Sequence, residues 1–155
     1  MKLVCRVQNE DFVVADEYRQ LQQRDCGAVV IFAGLVRDQL ESTDSSSVIA
    51  LELEHYPGMT EKSIVRIAEQ AAERFDIRAM TIIHRVGLLR VSEQIVFVGA
   101  ASPHRSSAFA ACEMVMDYLK NYVPIWKKLH TSSHSEWVEA KSSDQAAMCR
   151  WLSKE

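Results

Sequence analysis

The chain has 155 residues, 48% hydrophobic and 25% charged, with 18 Lys+Arg against 21 Asp+Glu for a formal net charge of -3. That length suits one domain spanning 1–155, and the composition is too apolar for a disordered segment. The acidic balance argues against a general binder of nucleic acid or of an anionic membrane. Cys5, Cys26, Cys112 and Cys149 show neither C-x-x-C nor zinc-finger spacing, so no metal site is expected. The N-terminal "MKLVCRVQNEDF" lacks a signal-peptide apolar run, and no stretch supplies the roughly 20 apolar residues of a membrane span. The expectation is a reduced, soluble, cytoplasmic protein.

In chain order, "KLVCRV" alternates as a short strand, and 15–24 reads as a helix stopped near Gly27. "GAVVIFAG" predicts a buried strand from Ala28 to Phe32. "VIALELEHY" predicts a strand with Ile49, Leu51 and Leu53 on one face and Glu52 and Glu54 on the other. A helix is expected from about Thr60 to Phe75. Its stripe is Ile64, Ile67, Ala68, Ala71, Ala72 and Phe75, and Thr60 is its candidate cap. "AMTIIHRV" and "EQIVFVGAA" are further strands, the second apolar on both faces and therefore central. A long helix follows in "SPHRSSAFAACEMVMDYLKNYV", with Ser102 as candidate N-cap and Pro103 at the first helical position. Phe109, Cys112, Met116 and Leu119 repeat along it, and Pro124 ends it. "SEWVEAK" is a last strand and "SDQAAMCRWL" a C-terminal helix. The serine-rich acidic segment at 38–47 reads as a surface loop, with an active-site lid as the alternative.

Three places carry candidate chemistry. Arg37 follows the buried strand, where binding residues often stand, though a lone arginine is more often solvated. "SPHRSS" opens a helix, whose unpaired N–H groups and dipole favour an anion. With His104 and Arg105 beside them they make a phosphate or carboxylate site, or an ordinary capped start. Lys120, Lys127 and Lys128 lie in an acid-free stretch among Tyr118, Tyr122, Ile125 and Trp126. A partly dry setting favours the neutral, nucleophilic amine, and adjacent cations push the same way. The alternative is lysine stems packed over aromatic rings. His55 and His84 read as satisfied strand histidines, and His130 and His134 as loop residues.

"GAVVIFAGLVRD", "LELEHYPGMTEKSI", "IIHRVGLL", "IVFVGAASPHRSSAFAAC", "MDYLKNYVPIWKK" and "WVEAK" occur in that order. Together they resemble the large, catalytic subunit of molybdopterin synthase, from about Gly27 to Lys141. The resemblance implies an α/β (α+β) hammerhead-type fold, a mixed sheet flanked by helices. It implies a homodimer binding two small, ubiquitin-like sulfur-carrier subunits in a heterotetramer. The carrier's C-terminal Gly-Gly thiocarboxylate would donate sulfur to cyclic pyranopterin monophosphate, twice, to form the dithiolene of molybdopterin; no cofactor is implied. On this resemblance the catalytic residues are Lys120, nearest the carrier's terminal glycine, and Lys127. The substrate-binding residues are Leu35, Val36, Arg37, His104, Arg105, Lys128 and Leu129, and Phe32 and Met116 line the pocket. Two positions depart from the family's pattern: Leu129 stands where glutamate is usual, and Lys141 where arginine is frequent.

Two other readings stay open at this point. One is a non-catalytic carrier-binding module of the same fold. The other is a phosphate-handling hydrolase that uses His104 as general acid and needs no carrier.

Overall fold

The computed structural model describes residues 1–38, 47–139 and 142–152. All but the ends of the 38–47 loop, and Lys141, lie outside the described residues. The elements run β1 (Lys2–Gln8), α1 (Val14–Leu21), β2 (Ala28–Leu35), β3 (Val48–His55), α2 (Met59–Arg74) and β4 (Ala79–Arg85). They continue with β5 (Gly87–Arg90), β6 (Gln94–Ser102), α3 (Arg105–Tyr122), β7 (Ile125–Thr131), β8 (Ser135–Val138) and α4 (Ser142–Leu152). The strands form two sheets, β1-β4-β6-β2 and β5-β3-β7-β8. The first is mixed: β1 runs parallel to β4, while β4–β6 and β6–β2 are antiparallel. The second is antiparallel throughout.

The expected α+β class holds, and the expected mixed sheet is the first of these two. Two strands had no counterpart in the sequence reading. β5 is "GLLR", too short to display a period. β7 is "IWKKLHT", whose lysines mask its alternation. His130 therefore lies in a strand rather than a loop.

The first sheet explains why β4 and β6 are apolar on both faces. Met80, Ile82, Val96, Val98 and Ala100 pack with α2 and α3 residues such as Ile64, Ile67, Val115 and Leu119. Ala79, Ile83, Phe97 and Ala101 pack on the opposite side with Phe12 and Leu21. Gly99 permits this close approach of α1: a Cβ there would sit 2.3 Å from Leu21 Cδ1. The second sheet has one apolar face, built from Leu51, Leu53, Leu89 and Leu129 with Val36, Val48 and Val86.

Several local expectations are corrected. Ile49 does not share a face with Leu51 and Leu53; it is exposed, because the register with β7 shifts between Val48 and Ala50. Helix α2 begins after Gly58, at φ 84°, whose N–H donates to the Glu61 carboxylate at 2.6 Å. Thr60 does not cap it. Its buried hydroxyl accepts from the Tyr56 N–H at 3.0 Å and donates to the Pro124 carbonyl at 3.0 Å. Ser102 ends β6 instead of capping α3; the N-cap is His104, with no side-chain cap. Phe109 is 62% exposed, since the buried stripe of α3 centres on Ala108, Ala111, Val115 and Tyr118. Small residues there let the helix lie close to the sheet. Pro124 does end α3, with Val123 in extended geometry at φ -88°, ψ 127°.

Candidate functional site

The expected site residues fall into three groups. The first is the end of β2. Phe32 is 41% exposed on this edge strand, as is much of Leu35. Val36 is buried, and its N–H and C=O are bonded to Glu93 and Ser92 at 3.0 and 2.9 Å. Val36 thus offers no side chain to a ligand; it anchors the chain so that Arg37 emerges exposed directly after it. The Phe32 main chain lies against the Cys112 thiol, which burial pushes up to about 11. Met116, half-buried against the main core, follows one helical turn later.

The second group is the start of α3. His104 and Arg105 are both exposed there, at a helix end whose first turn contains no acid. The His104 N–H donates to Ser102 Oγ at 3.2 Å. The remaining N–H groups of that turn suit an anion.

The third group spans the far end of α3 and β7. Lys120 lies in the last turn of α3, its side chain 48% exposed, 3.5 Å from the Asp144 carboxylate of α4. Lys127 and Lys128 do not point together. Strand alternation places Lys127 opposite Leu53 on the inner face, and Lys128 opposite Glu52 and Trp137 on the outer face. The ammonium of Lys128 stands 5.6 Å from the centroid of the Trp137 ring, the stem-and-ring packing left open above. The mutual repulsion expected of adjacent lysines is therefore weakened. Leu129, 1% exposed, packs into the core of the second sheet, and its backbone is held between β3 and β8.

Two features stand near the lysines, and the first, His84, is the satisfied strand histidine expected from the sequence. His84 is buried in β4 and donates from Nδ1 to the Arg85 carbonyl at 2.8 Å. Its pKa falls from 6.5 to about 4, chiefly through burial, and the positive charges of Lys127 and His55 add to the shift against that bond. His55 in turn faces the Glu61 carboxylate at 3.7 Å. The inner face of β7 thus meets two histidines. The signal in the sequence was an isolated histidine in the otherwise apolar "TIIH". The second feature is Asp144. Its separation from Lys120 in the chain left no local pattern to read.

His84 gives a pH prediction. Unfolded, the imidazole takes up a proton near pH 6.5; folded, it does so only near 4. Between these values the unfolded state binds more protons, so stability is full above about pH 6.5 and falls as pH drops toward 4. The loss attributable to this group is about 3 kcal/mol. Urea unfolding of wild type and His84→Asn across that window should show a shallower fall in the variant. Equal slopes would refute it.

A cleft of about 400 Å³ lies between α2 and the end of α3, lined by Ser63, Arg66, Ile67, Tyr118, Tyr122 and Leu152. It contains none of the expected site residues. In one chain His104 and Arg105 stand at one end of α3 and Lys120 at the other, and the helix runs unbroken for 18 residues.

Comparison with known proteins agrees with the fold. The family model described as "MoaE protein" matches residues 7–122. The chain is 49% identical over 146 residues to the molybdopterin synthase catalytic subunit of Vibrio cholerae, covering 94% of this chain and 95% of that one. It is 49% identical over 143 residues to the protein of the same name from Escherichia coli, covering 92% and 93%. The solved structure of the molybdopterin biosynthesis MoaE protein from Burkholderia ambifaria superposes with a TM-score of 0.82 at 44% identity, over 99% of this chain and all of that one. With the match running from β1 to the end of α3 and the whole architecture shared, the chain belongs to the MoaE protein family.

Proposed function

We propose that the chain is the catalytic subunit of a molybdopterin synthase, a sulfurtransferase that acts with a small protein carrier. The observation that carries this reading is likeness along nearly the whole chain to proteins bearing that name. The carrier's thiocarboxylate sulfur bonds to a side-chain carbon of cyclic pyranopterin monophosphate, and water then cleaves the acyl–sulfur bond, so that the sulfur stays on the pterin and the carrier leaves as a carboxylate. A second transfer completes the dithiolene, and the cyclic phosphate opens. The assembly is a homodimer of this chain with one carrier on each copy. The location proposed is cytoplasmic; among the described residues no helix is long and apolar enough to cross a membrane.

In this reading Lys120 and Lys127 act at the acyl-sulfur group. An ammonium there stabilises negative charge developing on the attacked carbonyl, and an amine can accept a proton. Arg37, His104, Arg105 and the start of α3 hold the phosphate, with Lys128 as a further cation. Leu35, Phe32 and Met116 supply apolar surface for the pterin. Val36 and Leu129 act through the backbone they fix, since their side chains are buried.

The test is reconstitution. The purified chain, a thiocarboxylated carrier and the cyclic pterin should yield dithiolene product, and a carboxylate-terminated carrier should yield none. Carrier binding without turnover would favour the non-catalytic module. Turnover of the cyclic phosphate without carrier would favour the hydrolase.

A further inference from the structure

We propose that Asp144 is a positioning residue for Lys120, so that helix α4 sets where the reactive ammonium stands. The inference rests on the assignment of Lys120 to sulfur transfer. Lys120 ends α3 on a long stem, half in solvent, and a free lysine samples many rotamers there. The Asp144 carboxylate, 3.5 Å away, limits that sampling. Asp144 itself is held. It lies in the first turn of α4, where the helix dipole favours negative charge. Its backbone carbonyl accepts from Asn121 Nδ2 at 2.9 Å, one residue beyond the lysine it faces.

The rest of α4 is docked on the same side of α3. Arg150 donates to Glu113 at 2.7 Å and to Asp117 at 2.8 Å, and the Trp151 indole N–H donates to Asp117 at 2.6 Å. The Trp151 ring is buried, edge-on to Phe75. Glu113, Asp117 and Lys120 follow helical spacing, so one face of α3 reads acid, acid, base toward α4. α4 answers with a base near its end and an acid at its start. The pairing fixes the register of the two helices, and the register places the Asp144 carboxylate at Lys120.

A partly exposed ion pair contributes little stability, and the expected effect is correspondingly moderate. With carrier and pterin in the reconstituted complex, Asp144→Asn should lower kcat about 5-fold, with KM for the carrier unchanged within a factor of about two. Asp144→Glu should recover at least half of the lost rate, which a purely structural role for the side chain would not require. In a Lys120→Ala background, Asp144→Asn should change the residual rate by less than about 2-fold, because a residue acting through Lys120 has nothing left to position. Wild-type kcat in Asp144→Asn, or an equal loss with and without Lys120, overturns the proposal. If instead Lys120→Ala alone turns over normally, the assignment of Lys120 has failed, and the positioning role falls with it.

Discussion

Lys120→Ala is expected to lower dithiolene formation by about 100-fold or more while leaving carrier binding intact. The side chain lies at the surface end of α3, half exposed, so its removal empties no core volume. A loss of turnover would therefore report chemistry rather than folding. Lys127→Ala should also reduce turnover strongly, but its reading needs a stability control. Lys127 is half-buried on the inner face of β7, and its charge reaches the buried His84. Product formed with saturating thiocarboxylated carrier is the measurement, with carrier affinity determined separately. A Lys120→Ala variant near wild-type turnover would remove this lysine from the mechanism.

Mixed dimers of Lys120→Ala and Arg105→Ala subunits are expected to regain activity that neither homodimer has. His104 and Lys120 stand at opposite ends of α3, which contains neither glycine nor proline and runs without a break. At about 1.5 Å per residue their backbones are roughly 24 Å apart. No side chain spans that gap, and a pterin with its phosphate does not fill the remainder. A substrate touching both residue types therefore draws Lys120 and Lys127 from one copy and His104 and Arg105 from its mate. The arrangement would make dimerisation a condition of catalysis. In a mixed dimer one site carries both lesions and the other carries none, so activity should approach half of wild type per dimer. Confirmed subunit exchange with no recovery would show that each site is built within one chain.

Much of the architecture was legible from local pattern. The two-faced apolar run of β6 marked a buried centre, because a strand covered on both sides has no polar face to display. The stripe of α2 and the stop at Pro124 were equally local, since each depends on residues within a few positions. Arg37, His104, Arg105 and the three lysines stood out from their local sequence, whereas their roles, and Leu35, Val36, Leu129, Phe32 and Met116, came from the family resemblance.

What only the tertiary structure decided depends on which strand or helix lies alongside. Two adjacent lysines read as one cluster in sequence; once β7 pairs with β3 and β8, they point to opposite faces. The bulge that turns Ile49 outward exists only in the pairing of β3 with β7. The family resemblance placed Leu129 at the ligand, and the sheet turns its side chain into the core. Asp144 meets Lys120 across 24 residues of chain because Arg150 and Trp151 dock α4 on α3. A one-dimensional pattern records which face a side chain takes relative to its own element. It does not record which distant element covers that face, and that covering determines burial, charge pairing and the make-up of the site.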